Sequence, residues 1–170
     1  MRGAFIFFLT LLLLQALVAA ANHSLAQAGV FLFVGGLFVG TAAFVLPFGP
    51  GFAAVFAAGL ACDANADVPF GTHALLFSAA HSVLFHLRDR LPHDETVGCV
   101  LIGLVCNLAL FIVLTVLRIH QSPAPAVEWS RAACDLVLSQ IVIALAAPWF
   151  FALQKSALVL AHAGSARPIF

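Results

Sequence analysis

The stretch "GLACDANADVPFGTHALLF", residues 59–77, carries two aspartates, Asp63 and Asp67, between two strongly apolar runs. Charged residues are scarce in this chain, which has seven Asp or Glu and seven Lys or Arg in all. An ionised side chain inside hydrocarbon costs about 2.5–3.5 kcal/mol on insertion scales. Irregular backbone at membrane depth is tolerated only where protein or water covers it. The stretch therefore predicts a polar turn between two membrane helices, tucked into one end of a helical bundle.

The composition of the whole chain indicates a membrane protein. Of its 170 residues, 64% are hydrophobic and 8% are charged, and the mean hydropathy is +1.13. A soluble domain is nearer to half apolar and about a quarter charged. The formal net charge is zero, so the chain lacks the basic face that nucleic acid requires. These values exclude a soluble globular domain and a nucleic-acid-binding protein, and they make the lipid bilayer the expected solvent.

Apolar segments divide the chain into helices of roughly membrane-spanning length. A spanning helix needs about 20 apolar residues, and five segments approach that length: 3–21, 28–46, 68–87, 97–117 and 132–153. A sixth segment, 52–66, has an apolar part of only 11 residues (52–62), which reaches about 17 Å against a hydrocarbon core of about 30 Å. The sequence "PFGPG", 47–51, predicts a turn or kink before it. The expected fold is an all-α integral membrane protein, a compact bundle of about six transmembrane helices that forms one polytopic domain over residues 1–170.

The distribution of Lys and Arg predicts the orientation of this bundle. With the N-terminus inside and six spans, five basic residues fall inside and two fall outside: Arg2, Arg88, Arg90, Lys155 and Arg167 against Arg118 and Arg131. Because Lys and Arg favour the cytoplasmic side, both termini are expected in the cytoplasm and the quoted stretch at the outer face. The small residues of "VAAAN", 18–22, could make the first segment a cleavable signal. Its apolar run is longer than a signal peptide needs, which favours an uncleaved helix.

The polar turn has a structural and a functional interpretation. Asp67 can cap the helix that follows, with Pro69 in the first turn of that helix, where a missing N–H does no harm. Asp63 can accept hydrogen bonds from the turn or pair with a cation. The alternative is that Asp63 organises a groove or a partner surface.

Other polar residues in the apolar segments are candidates for chemistry. His73 and His81 lie on one predicted helix about 80° apart, so both can face the bundle as buried, hydrogen-bonded histidines. A metal site would need ligands from other helices, and Asp63 is the only obvious one, so no metal is expected. Arg131 and Asp135, spaced i and i+4, predict a local ion pair that eases insertion, or else a contact with a partner helix or a substrate. Because the sequence has no Ser-His-Asp spacing, Gly-rich phosphate loop or HExxH motif, we expect neither an enzyme nor a cofactor.

The opening stretch resembles the signature of the MreD family of rod shape-determining proteins. In that family Gly-Leu-x-x-Asp ends one membrane helix, and Pro, then Leu or an aromatic residue, then Gly open the next, often followed by His-Ala-Leu. The residues at those positions here are Gly59, Leu60, Asp63, Pro69, Phe70, Gly71, His73, Ala74 and Leu75. A basic "LRDRLP", 87–92, after the predicted fourth helix also fits the family.

The resemblance implies a non-catalytic inner-membrane subunit of the bacterial cell-elongation machinery. Members of the family bind the bitopic protein MreC and, with the actin-like MreB, help to direct lateral peptidoglycan synthesis and thereby cell shape. A RodA-type glycosyltransferase and a class B penicillin-binding protein are implied as further partners. The six-helix fold of the family is similar to that of the substrate-binding subunits of energy-coupling-factor vitamin transporters.

That similarity supplies an alternative function, the substrate-binding subunit of a small-molecule (vitamin) transporter. The alternative predicts a pocket at the outer face, with Asp63, His73, Arg131 and Asp135 as ligand contacts. The elongation subunit instead predicts apolar helix faces that bind other membrane proteins. For such contacts the Gly-x-x-x-Gly pattern of "GLFVG", 36–40, offers a surface for close helix packing.

Overall fold

The structure is a computed structural model that describes residues 2–64, 66, 68–90, 96–120 and 125–163. Within these ranges the chain is helical and forms no strand. The helices are α1 (Arg2–Leu25), α2 (Gly35–Val45), α3 (Phe48–Asp63), α4 (Thr72–Leu87), α5 (Thr96–Ile119) and α6 (Pro125–Ala163). Short 3-10 turns follow α1 and α4, at Ala26–Ala28 and Arg88–Arg90.

Three of these helices, α1, α5 and α6, are long and apolar enough to cross a membrane. Large apolar side chains on their outer faces remain exposed, for example Phe5, Leu9, Leu13 and Leu17, which follow one another at every fourth position along α1. Water-soluble monomers rarely expose apolar surface on this scale. The long helices and their exposed faces indicate a membrane protein, and the expected all-helical fold is confirmed.

The second predicted span differs from the structure over its first part. Residues 29–34, here called the irregular segment, are not helical, and α2 begins only at Gly35. The span predicted at 28–46 is therefore a non-helical stretch followed by a helix of 11 residues. Hydropathy did not reveal this break because the irregular segment is as apolar as a helix would be.

The third helix is longer than the sequence predicted, because α3 begins at Phe48 and not after a turn at 47–51. Pro47 precedes the helix in an extended conformation, and its carbonyl accepts the N–H of Gly51 at 3.0 Å. Pro50 lies in the first turn, where a helix has no use for its N–H. The 16 residues of α3 reach about 24 Å, so this helix is only slightly short for a bilayer.

The other predicted spans agree with helices, but their ends differ. α4 begins at Thr72 and not at residue 68, and α6, with 39 residues, extends beyond both ends of 132–153. α1 and α5 exceed the predictions 3–21 and 97–117 by a few residues at their ends. α1, α5 and α6 are longer than predicted because their ends contain polar residues that hydropathy assigns to loops, whereas α4 starts late because the left-handed Gly71 precedes it.

The core of the bundle surrounds α2. This helix packs against α3, α4, α5 and α6, and α3 pairs closely with α4. Its Gly36 faces α5, where an added Cβ would collide with the carbonyl of Gly103 and lie 2.5 Å from the Cβ of Asn107. The 36–40 glycine pattern therefore serves a contact inside this chain. Beside it, four buried aromatic rings meet in the middle of the bundle: Phe33, Phe38, Phe77 and Phe111.

Candidate functional site

The carboxylate of Asp63, the last residue of α3, holds the start of α4. Its Oδ2 accepts the backbone N–H groups of Gly71 (3.0 Å) and Ala74 (3.2 Å). Its Oδ1 accepts the backbone N–H of His73 at 2.9 Å and lies 2.8 Å from Nδ1 of the same residue. Asp63 is only 4% exposed. Because the first N–H groups of a helix have no acceptor within it, this buried carboxylate caps α4 from the preceding helix. Of the two alternatives that the sequence left open for Asp63, the structure shows the hydrogen bonds to the turn.

Two glycines make this arrangement possible. A Cβ at Gly59 would lie 2.5 Å from the Cα and 2.7 Å from the N of Ala74, so α3 and α4 can approach each other this closely only without a side chain there. Gly71 has φ of 98°, a left-handed conformation that other residues rarely adopt. Its backbone turns the chain so that the N–H groups of the first turn of α4 point back at Asp63.

The sequence predicted that Asp67 caps α4 and that Pro69 lies in its first turn. Asp67 lies outside the described residues. Pro69 is not in the first turn of α4, because that helix begins three residues later, at Thr72. The carbonyl of Pro69 instead accepts the backbone N–H (3.1 Å) and the hydroxyl (2.6 Å) of Thr72. The left-handed residue Gly71 ends the turn and sets the start of the helix.

The irregular segment has its backbone groups satisfied by side chains from other parts of the chain. Asn22 of α1 bonds both polar groups of Leu32, with its Oδ1 accepting the N–H at 2.7 Å and its Nδ2 donating to the carbonyl at 2.9 Å. From α6, Asp135 accepts the N–H of Phe31 and Ser139 accepts the N–H of Phe33, both at 2.9 Å. Non-helical backbone inside a membrane needs such partners.

Arg131 and Asp135 do not form the predicted ion pair with each other, although the structure describes both. Arg131 donates from Nη2 to the carbonyl of Gly29 at 3.2 Å, and Asp135 binds Phe31. Both side chains thus reach from α6 to the irregular segment. The prediction of a local pair was wrong because the unpaired backbone of this segment offers each side chain a partner.

A cavity of about 500 Å³ opens at the end of the bundle where α1, α3 and α5 end and where α4 and α6 begin. The irregular segment forms one of its walls. His73, Arg131 and Asp135 line it, as the transport alternative predicted, whereas Asp63 does not. The carboxylate of Asp63 is instead engaged entirely with the α4 backbone and with His73.

The floor of the cavity is aromatic and its rim is polar. Phe33, Phe77 and Phe111 lie at the floor, with the centroids of neighbouring rings 6.0–6.2 Å apart. Arg118 and Glu128 lie at the rim, and their charged groups are 4.0 Å apart. An apolar cavity with a few fixed polar groups is the usual form of a small-molecule site.

The two histidines of α4 differ in their partners. His73 is 9% exposed and hydrogen-bonded, as predicted for both histidines, and its partner is Asp63. His81 is fully buried and stacks on Phe48, with the ring centroids 5.8 Å apart, but within the described chain neither of its ring nitrogens makes a well-formed hydrogen bond. The prediction of a hydrogen bond was therefore wrong for His81. Among the residues that the structure describes, no three His, Cys, Asp or Glu side chains come close enough to hold a metal ion.

Comparisons with protein-family models, with curated proteins and with solved structures found no match. The site therefore rests on its own geometry. Sequence reasoning missed three of its residues, namely Asn22, Asn107 and Ser139, which bond the irregular segment or the start of α2. A signal for each was present in the sequence, since an amide or hydroxyl in an apolar helix usually has a buried backbone partner.

Proposed function

We propose that the chain is an MreD-like, non-catalytic subunit of the bacterial cell-elongation machinery. One observation supports this best. Gly59, Asp63, Gly71 and His73, which carry the resemblance to that family, meet at one joint between α3 and α4. Each of these residues has a physical role at the joint, so their spacing is constrained. A chance match between two apolar sequences would not need such roles.

The proposed topology has six crossings, with both termini in the cytoplasm and the polar joint at the outer face of the inner membrane. The Lys and Arg bias favours this orientation. Trp129 and Trp149 on α6 are exposed and twenty positions apart, which is about 30 Å along a helix and close to the thickness of the hydrocarbon core. Tryptophans favour both membrane interfaces. The irregular segment together with α2 makes one crossing, and the shorter helices α3 and α4 make two more.

The proposed action is binding rather than chemistry. An MreC-like protein is the main partner, and MreB, a RodA-type glycosyltransferase and a class B penicillin-binding protein belong to the same assembly. The exposed apolar faces of α1, α5 and α6 are suited to the membrane helices of such partners. By joining them the subunit regulates lateral peptidoglycan synthesis and cell shape.

The proposal is tested by depleting the protein in its own host and measuring cell shape. Loss of rod shape, its recovery with the wild-type gene and co-purification of an MreC-like protein are expected. Gly59→Val should fail to restore rod shape, whereas Gly49→Val should restore it, because an added Cβ at Gly49 meets nothing within 4 Å. Unchanged cell shape after depletion would refute the proposed role in cell elongation.

The cavity favours a second candidate function, the substrate-binding subunit of a small-molecule transporter. Its volume and its polar rim are those of a ligand site. The co-purification experiment separates the two candidates, since a transporter subunit should bring down an ATPase and not an MreC-like protein.

A further inference from the structure

The cavity at the outer end of the bundle has the size and lining of a ligand site, whichever assembly the chain joins. Pockets for small molecules measure about 300–1,000 Å³ and combine an apolar lining with a few fixed polar groups. This one measures about 500 Å³. Its walls are fixed on several sides, because α6 and α1 hold the irregular segment through Asp135, Ser139 and Asn22.

The floor favours a flat apolar body. Phe33 packs against Phe77 and Phe111 with tilted rings, and the ring of His73 lies 5.7 Å from that of Phe77. Aromatic rings stack or meet edge to face with other rings. Phe77 is fully buried behind its neighbours. A fused ring system would therefore meet the accessible edges of Phe33 and Phe111, each 8% exposed, and the ring of His73, which is 9% exposed.

In the part of the chain that the structure describes, two arginines and two carboxylates line the cavity, so its formal charges balance, and Arg131 is the group with donors to offer an anion. Glu128 has Arg118 at 4.0 Å, and Asp135 accepts the N–H of Phe31. Arg131 makes one hydrogen bond, to the neutral carbonyl of Gly29, and no acidic group among the described residues lies within 4.0 Å of its guanidinium. A guanidinium has five N–H donors in a planar fork that matches a carboxylate. Arg131 thus keeps most of its donors for a ligand.

His73 adds a second polar contact. Its Nδ1 lies 2.8 Å from the carboxylate of Asp63, so a neutral imidazole carries its proton on Nδ1 and leaves Nε2 as an acceptor. No hydrogen bond joins Nε2 to a described residue, and the ring lines the cavity. A ligand N–H or O–H could bond there.

We propose that this cavity binds a small amphipathic acid, with a flat ring system over the phenylalanines of the floor and an anionic group on Arg131. The inference goes beyond the elongation function and deepens the transport candidate, because it names a ligand class for the cavity on which that candidate rests. Binding to the purified protein tests it separately from membership of either assembly.

The test uses the purified full-length protein in detergent with 2-naphthoate as the probe. The protein is heated with increasing probe, and the fraction that stays monodisperse gives the thermal midpoint, which rises with binding to the folded state. Two analogues are compared, the neutral 2-naphthamide and the alkyl acid octanoate. Naphthoate should raise the midpoint at a concentration about tenfold lower than naphthamide, since a charge-assisted bond is worth about one decade of affinity. It should also act at a lower concentration than octanoate, which has the charge but lacks the ring contacts.

Matched variants locate the binding. Ala132→Phe, which fills the cavity from α6, should abolish the shift, whereas Ala133→Phe on the exposed side of the same helix should keep it. Arg131→Gln should weaken the response about tenfold, whereas Arg88→Gln, at the opposite end of the bundle, should leave it unchanged. The shift is measured against the ligand-free midpoint of each variant, so a change in stability alone does not mimic it.

Each contrary result overturns a defined part of the inference. No midpoint shift with naphthoate, or a shift that survives Ala132→Phe, would show that the cavity is not the site. Equal responses to naphthoate and naphthamide would refute the preference for an anionic group. Equal responses to naphthoate and octanoate would refute the preference for a flat ring system.

Discussion

Replacing Asp63 tests whether its carboxylate caps α4. Asp63→Leu removes the acceptor of three backbone N–H groups, those of Gly71, His73 and Ala74. An unpaired buried N–H costs about 1–3 kcal/mol. The three together therefore predict a loss of about 3–9 kcal/mol in the free energy of unfolding, a large part of the stability of most proteins.

Asp63→Asn should be much milder. The side-chain amide can orient its oxygen toward the backbone N–H groups of Gly71 and Ala74 and so keep both of those hydrogen bonds. The amide nitrogen then faces His73, whose ring can move its proton to Nε2 so that Nδ1 accepts. Only the backbone N–H of His73 is left without an acceptor, which costs about 1–3 kcal/mol, about a third of the loss with leucine.

The measurement is the free energy of unfolding in mixed micelles titrated with SDS, followed by circular dichroism. Asp89→Leu is the control, because the Asp89 side chain is 85% exposed at the other end of α4 and should change stability by less than about 0.5 kcal/mol. Asp63→Asn should cost more in a His73→Phe background, where the amide nitrogen loses its acceptor. An Asp63→Leu variant as stable as the wild type would refute the capping role. An Asp63→Asn variant that loses as much stability as Asp63→Leu would show that the charge itself is required.

Three further predictions follow from the same structure. Gly59→Val should lower the free energy of unfolding by about 3 kcal/mol, because its Cβ meets the α4 backbone at 2.5 Å, whereas Gly49→Val should leave it nearly unchanged; equal values in the SDS titration would contradict the close helix contact. Asn22→Leu should lower the free energy of unfolding by less than the about 2–6 kcal/mol that two fully buried groups would cost, since it leaves one part-buried N–H and one part-buried carbonyl of the irregular segment unpaired. Faster hydrogen exchange of that segment should accompany the loss. For the topology, a cysteine introduced at Asp89 should be protected from an impermeant maleimide in intact cells and one at Ala126 labelled, and the reverse pattern would refute the orientation.

Much of the fold could be read from local sequence. The long apolar runs of α1, α5 and α6 predict helices because each satisfies its backbone internally, without reference to the rest of the chain. The polar joint was predictable too, since the two aspartates interrupt apolar sequence and Gly71 favours a turn. The side chain that caps α4 was less certain, because Asp67 is nearer to the helix in sequence than Asp63. Only the close approach at Gly59 brings Asp63 to the N–H groups of α4.

The cavity and the break in the second span depend on tertiary structure. Residues 28–46 are apolar throughout, so sequence alone favours a continuous helix there. The irregular segment is stable because Asp135 and Ser139 supply hydrogen bonds from positions 104 and 106 residues away along the chain. A local pattern cannot contain such partners. The sequence by itself thus determined that the chain is a helical membrane protein and where its polar joint lies, while packing decided which backbone stays irregular and left the space beside it as a cavity.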